Sequence, residues 1–520
     1  MAIVINLDTK NNKTGKPSYD DVLSMANALN KASSPEKISD VLKTAALAQF
    51  DPVAVDLILV AVQAKTKLPK KPLRQRLQQY EQELGLIPND LALDIARKIR
   101  NEHFNGGAHL VRCADASYWC FVDTHWRETT GGSLRRIIME EANKVFHLFE
   151  GHSLPAQVSQ AKTCLDDLLG TDEDVMGFND EPSSVVNCAN GEVWVGEDGT
   201  VELMPHRPES RLTYCLQIDY DLSATCPTYD KALLEIFSES GNPGDLVRHW
   251  NEFMGYAIQP RRDIPSYWIL IGHGSNGKSK LLETLQRLVG RDAVLNDQIS
   301  SFQRDRFNVA ALSGKLLFID DDLAEEAKLA DDLLKKISEA KEISARHAYG
   351  RRKFKFRCLA LPIMAGNTYP LTNDSSWGMV RRAQIIPFDR IFTPEEADPN
   401  LFPEIWKKEL SGILNRSLEG LQRLRKRGGF KMPEDCEMAL KEFMAHANPL
   451  IAFIEERCVD DPEGRTPLSD FREAMKIWAK EQGTRRVPAD KRLKRKLEGL
   501  NFEVKMVKGY NKVYGLLLKS

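Results

Sequence analysis

Residues 266–279, SYWILIGHGSNGKS, constrain this chain more than any other stretch. Ser266–Ile271 is a short apolar run, suited to a strand buried on both faces. GHGSNGKS at 272–279 matches the spacing G-x-x-x-x-G-K-[ST]. KSKLLETLQRLV then sets apolar residues at 281, 282, 285, 288 and 289, one face of a helix. Strand, glycine-rich turn and helix in this order make a phosphate cradle. Gly272, Gly274 and Gly277, with Ser275 and Asn276 between them, let backbone N–H groups wrap phosphate oxygens, and the helix start adds a positive dipole. In such a loop Lys278 reaches the β- and γ-phosphates and Ser279 binds Mg²⁺. The expected cofactors are therefore ATP and Mg²⁺.

Three later segments extend the pattern. GKLLFIDDDL at 314–323 is an apolar run ending in acids. An acid at the carboxyl end of a neighbouring strand faces the phosphate loop, where it holds Mg²⁺ and orients water. Asp320 is the expected metal-associated acid and Asp321 the candidate for activating water. CLALPIMAGN at 358–367 ends in Asn367, a polar amide placed to position an attacking water. Arg381 and Arg382 precede the apolar run AQIIPF, where an arginine can reach the nucleotide of a neighbouring subunit.

The rest of the chain bounds these readings. At roughly 100–200 residues per domain, 520 residues imply about three or four domains. The division expected is a helical segment at 1–88, a mixed α/β domain at 89–232, the phosphate-loop domain at 233–440 and a DNA-binding domain at 441–520. SPEKISDVLKTAALAQ carries a helix start, while VWV and VELM flank a Glu197-Asp198-Gly199 turn as a hairpin. Hydrophobic residues are 42% and charged residues 28%, as in a soluble globular protein. Apolar runs such as Cys358–Gly366 fall short of the roughly 20 residues a span requires, so no membrane association is expected. Nine scattered cysteines with no C-x-x-C pair, and no secretory signal, fit a reducing, cytoplasmic compartment.

Net charge is only −2, but the positive charge is clustered. RHAYGRRKFKFR at 346–357 holds six Lys/Arg and no acid, and 461–520 holds 15 Lys/Arg against eight Asp/Glu. In the first cluster Gly350 suits a turn, with RHAY before it and KFKFR after it expected to pair as strands. Phe354 and Phe356 then share one face, and Lys353, Lys355 and Arg357 the other. In the second, Leu493, Leu497 and Leu500 give one helical face inside a basic run, followed by a hairpin, which suits a duplex-DNA-binding helix and wing. The tail is expected to run helix, helix, helix, hairpin.

The order GHGSNGKS, LLFIDDD, RHAYGRRKFKF, LALPIMAGN, VRRAQIIPF resembles superfamily III helicases, and within them the phage/plasmid primase–helicase branch that includes the poxvirus primase–helicase. The segment NGEVWVGEDGTVELMPHRPESRLTYCLQIDYDL is similar to the domain that precedes the ATPase there, and FIEERC…PLSDFREAMKIWAKEQG to an appended winged helix. The resemblance runs from about residue 95 to the end. It implies an AAA+-like α/β ATPase that forms a homo-hexameric ring, moves on single-stranded DNA and unwinds duplex, in a phage-infected host's cytoplasm if phage-encoded. It implies nucleotide and Mg²⁺ at Lys278 and Ser279, an acidic pair at Asp320 and Asp321, a sensor at Asn367 and a finger at Arg381 or Arg382. It also places a pore hairpin before Cys358, with His347, Tyr349, Arg351, Arg352 and Lys353 as DNA contacts. Many relatives carry an Asp-Glu or Glu-Asp pair where this chain has three aspartates, so Asp321 and Asp322 both stay open as the catalytic acid. About 90 residues precede the matched region, so the reading is a helicase without a fused primase, with a separate primase or polymerase as partner. The rivals are an AAA+ loader or remodeller, against which the basic hairpin argues, and a DNA-binding initiator using ATP as a switch.

Overall fold

The computed structural model describes residues 16–86, 90–113, 116–145, 153–170, 182–304, 308–324, 327–346, 353–372, 377–447, 449–481 and 487–519. The chain divides into two compact units, Met1–Gly106 with Gly132–Leu168, and Gly107–Gly131 with Leu169–Ser520.

The first unit is helical. Its helices are Tyr19–Asn27, Pro35–Ala48, Pro52–Thr66, Lys70–Glu83 and Leu91–Lys98, joined by Gly131–Val145 and Leu154–Leu169 from within the expected mixed domain. Local chemistry sets the starts. Ser18 and Asp21 form a reciprocal capping box, and Ser34 and Asp51 each cap a helix whose first residue is proline. Val22, Leu42, Leu59, Leu77 and Tyr80 meet in the core of the first four helices. Glu141 is buried among Lys144, Lys98 and His103, whose hydrogen bonds hold its carboxyl down to about 2.

The second unit holds all the described strands. β1 (Leu110–Arg112), β2 (Tyr118–Phe121) and β3 (Trp126–Thr129) form one antiparallel sheet; β4 (Val185–Cys188), β5 (Gly191–Val195) and β6 (Val201–Met204) form another. The centre is a five-stranded parallel sheet of β7 (Tyr267–Ile271), β8 (Val294–Asn296), β9 (Leu317–Leu323), β12 (Leu361–Gly366) and β13 (Ala383–Pro387) in the order β13-β7-β12-β9-β8. Between β9 and β12 lie β10 (Glu342–Ala345) and β11 (Phe354–Arg357), a two-stranded antiparallel pair. At the end of the chain β14 (Cys458–Pro467), β15 (Val504–Val507) and β16 (Tyr510–Leu518) form a sheet with β16 central.

The strands β7, β12 and β13 are buried along their whole length, as a sheet covered on both faces requires. Alternation sends Trp268 and Leu270 to one core and Tyr267, Ile269 and Ile271 to the other. The first core is closed by helices Pro243–Ala257, Lys278–Val289 and Leu410–Arg427. Helices Asp331–Ser338 and Glu434–Ala447 close the second. Trp268 sits 4.4 Å from Phe253 and 5.1 Å from Phe430, contacts worth about 1 kcal/mol each beyond burial. The architecture is therefore mixed α/β around a parallel sheet, consistent with a nucleotide-binding core. Among the described residues no helix is long and apolar enough to cross a membrane.

Two local expectations change. Phe354–Arg357 pair with Glu342–Ala345, whose Ile343 and Ala345 give Phe356 and Phe354 buried partners, while His347–Tyr349 of the RHAY segment lie outside the described residues. The tail gains β14, which pairs with β16 across a register shift between Asp460 and Arg465. It has its own core, with Phe453, Phe471, Leu493, Leu497 and Leu516 buried.

Candidate active site

The phosphate-loop segment leaves β7 at Ile271 and re-enters helix at Lys278. A Cβ on Gly272 would lie 2.3 Å from the Phe388 carbonyl oxygen, and Gly277 has a φ of 87°, so both positions need glycine. Asn276 is buried and braces the turn. Its amide donates to the His273 carbonyl at 2.6 Å and the Phe388 carbonyl at 3.4 Å, while its Oδ1 accepts from the Lys278 backbone and ammonium at 3.3 Å each. The Lys278 ammonium also donates to the Gly272 carbonyl. Burial pushes this lysine down to about 8. Gly274 and Ser275 are exposed on the loop, and Ser279 is exposed in the first turn of the helix.

Parallel register brings the other residues to the same edge. Gly366 of β12 pairs with Ile271 of β7, so Asn367 emerges, exposed, beside Gly272. Asp320 pairs with Met364 on the next strand, two strands or about 10 Å across from β7. Asp320 is buried, and its carboxylate accepts from the Ile299 N–H at 2.8 Å. Burial raises its pKa, as do the charges of Asp321 and Asp322, against the pull of that N–H. The next paired residues are Leu323 and Gly366, so three steps on β9 oppose two on β12. This bulge leaves Asp321 and Asp322 both exposed, beside a buried Asp320. A turn with two positions that need glycine, a cation at the helix start and a buried carboxylate across from it fit a nucleoside triphosphate with Mg²⁺.

Arg381 and Arg382 lie elsewhere. Ala383 of β13 pairs with Tyr267, the first residue of β7, so both arginines sit at the amino edge of the sheet. About 17 Å of strand separates them from the loop of their own chain. Arg382 is buried, ion-paired with Glu339 and bonded to the Gly378 carbonyl, whereas Arg381 is exposed. Lys353 is exposed next to β11; His347, Tyr349, Arg351 and Arg352 lie outside the described residues. The hairpin does have an acid within reach, since Glu342 pairs with Lys355 at 3.0 Å.

Two features escaped sequence reasoning. The segment after β13 folds over the loop: the Phe392 N–H donates to the Ser275 carbonyl at 2.8 Å, and the neighbouring Arg390 packs on the Phe392 ring and pairs with Glu396 at 2.8 Å. Arg262 is buried with its guanidinium on backbone carbonyls, including Leu359 at 2.9 Å, Tyr256 at 2.8 Å and Leu316 at 3.1 Å. It ties the amino ends of β9 and β12 to the helix before β7, and burial lowers it to about 10. Only the double arginine at 261–262 marked either feature in the sequence.

Comparison with known proteins adds partial matches. Residues 96–238 match the family described as D5 N terminal like, and residues 270–382 match a family of unknown function, DUF5906. The first match supports a primase–helicase-like family. The second spans the phosphate loop, the acidic strand, Asn367 and the arginine pair. Solved structures of the C-terminal region of NrS-1 are similar at 14% identity and a TM-score of 0.43, over 78% of this chain and 95% of that one. A further structure, of NrS-1 residues 305–718 in the apo form, gives 12% identity and 0.45, over 83% and 100%. No curated protein matches the chain.

Proposed function

We propose that this chain is an ATP-dependent DNA helicase of the superfamily III type, acting in phage-type replication as a homo-hexameric ring. The observation that carries the reading is the convergence of Lys278, Asp320 and Asn367 on one sheet edge, with the Asn367 strand lying between the other two. The loop N–H groups and Lys278 hold phosphates, and Ser279 and Asp320 hold Mg²⁺. When bound, ATP and Mg²⁺ supply transfer of a terminal phosphoryl group to water. Asp321 or Asp322 takes the proton of that water, and Asn367 orients it. Arg381 is too far from its own loop and faces outward, so it serves the site of the next subunit, while Arg382 is retained by Glu339. Lys353 and the basic segment before it grip the single strand through phosphates, without sequence preference.

The C-terminal unit follows the order helix, strand, helix, helix, strand, strand of a winged helix, from Pro449 to Leu518. Lys491, Arg492 and Arg495 are exposed on its last helix, and Met506 and Tyr510 on its terminal hairpin. This observation favours a duplex-binding role and keeps the initiator reading as the alternative.

The test is ATPase activity of the purified chain with and without oligo(dT), alongside unwinding of a forked duplex. Stimulation and unwinding are expected, with Lys278→Ala falling to background and Lys353→Ala losing stimulation. ATP hydrolysis that DNA leaves unchanged, with no unwinding, would overturn the helicase.

A further inference from the structure

A cavity of about 250 Å³ opens beside the β4–β5–β6 sheet, away from the phosphate loop. Leu316 and Leu359, which lead into β9 and β12, form one wall, so it lies at the amino edge of the parallel sheet. Val185, Trp194, Leu212 and Tyr214 supply an apolar, partly aromatic floor. The cations Arg207, Arg211 and Lys315 also line it, against a single acid, Glu209.

Two of these cations are oriented by tryptophan. The Arg207 guanidinium lies 4.9 Å from the Trp194 ring centroid, and that of Arg211 lies 5.0 Å from the Trp126 ring. Arg207 is also close to Glu192, at 3.7 Å, and bonds Ser210. Arg211 is held in the left-handed region, at a φ of 52°, which a side chain of this size seldom adopts. Its Nη1 is buried and has no acceptor among the described residues. Arg211 lines the cavity, and its positive charge there favours an anion. An anion with a flat apolar body fits the aromatic floor as well. The volume is below the usual range for drug-sized ligands, which limits the occupant to about one nucleotide unit.

Position narrows the source. Arg357 ends β11 two residues before Leu359, so the cavity and the base of the basic hairpin share one edge. We propose that the cavity binds one nucleotide unit of single-stranded DNA, its base against Trp194 and Leu212 and its phosphate on Arg207, Arg211 and Lys315. This rests on the DNA-binding part of the function proposed above. A free nucleoside monophosphate has the same chemistry and is the other possible source.

The test uses the full chain and two probes: a fluorescein-labelled oligo(dT) read by anisotropy over a salt series, and dTMP read by tryptophan fluorescence. Arg207→Gln with Lys315→Gln alters accessible side chains; Arg211→Gln is a second variant, and thermal unfolding checks that each folds. We expect the variants to bind oligo(dT) about tenfold more weakly and to lose about one unit of the log–log salt slope, which a purely structural residue would not move. Loss of dTMP binding with oligo(dT) affinity kept would assign the cavity to free nucleotides. Folded variants that bind both probes as the wild type does would overturn the site. If wild-type protein binds no oligo(dT), the helicase reading fails, and variant-sensitive dTMP binding would still uphold the cavity.

Discussion

The two edges of the parallel sheet treat charge in opposite ways. At the carboxyl edge, Lys278 and Asp320 are buried, and both depart from their usual pKa ranges because of that burial. Their positions follow from strand register and a six-residue turn, so little side-chain freedom is left to fix. At the amino edge, structure uses up some of the arginines. Arg262 is bound to carbonyls and Arg382 to Glu339, while Arg381 faces solvent. The contrast teaches that register gathers the charged residues of the carboxyl edge, while side-chain pairing sorts the arginines of the amino edge. The carboxyl edge brings together residues suited to phosphate and metal, and the one exposed arginine of the 381–382 pair is at the far side of its own chain. In the ring proposed above, a neighbour supplies it.

The arginine pair gives the sharpest way to break this comparison. Arg381→Ala should lower turnover on the order of 10³-fold while nucleotide binding and thermal stability hold, because a finger acts on charge that develops in the transition state. Arg382→Ala should do the reverse in kind. It removes a buried guanidinium that bridges Glu339 and the Gly378 carbonyl, while Glu339 keeps Lys341, and chemical denaturation should show a loss of about 1–2 kcal/mol. Equal behaviour of the two variants would mean that burial does not separate their roles.

The smallest effect sharpens the carboxyl edge. Lys278 is lowered to about 8, so its charge is lost as pH rises through 8. Phosphate favours the charged form, and binding above pH 8 must therefore take up a proton. Nucleotide affinity should fall by up to about tenfold per pH unit above 8 and stay level below 7. Titrations at pH 7 and 9 read this directly, and Lys278→Arg, always charged, should flatten the difference.

What was legible in the sequence follows the range of the interaction that determines it. SYWILI, GHGSNGKS and the helix after them are contiguous, and strand, turn and helix each appear as expected. LLFIDDD placed a strand ending in acids, but the bulge that exposes both Asp321 and Asp322 comes from pairing with β12 and has no local signature. The difference between Arg381 and Arg382 depends on Glu339, 43 residues earlier in the chain. The pairing of KFKFR with EISA was not legible, because EISA is short and only half apolar and the pairing is chosen by burial of the two phenylalanines. Strand β14 reads CVDDPEGRTP, which has no alternation; it forms because β16 offers it an edge. The cavity is assembled from segments at 182–185, 194, 207–214, 260, 315–316 and 359, so no local pattern announces it.

The central claim is an active site shared between neighbouring subunits, and subunit mixing tests it most directly. Lys278→Ala and Arg381→Ala proteins are each expected to be inactive. Mixed in equal amounts under conditions of subunit exchange, they form some interfaces with an intact Lys278 on one side and an intact Arg381 on the other. For random assembly with independent sites, ATPase activity should return to about a quarter of the wild-type rate. No recovery from a mixture shown to contain both variants in one oligomer would contradict the shared site.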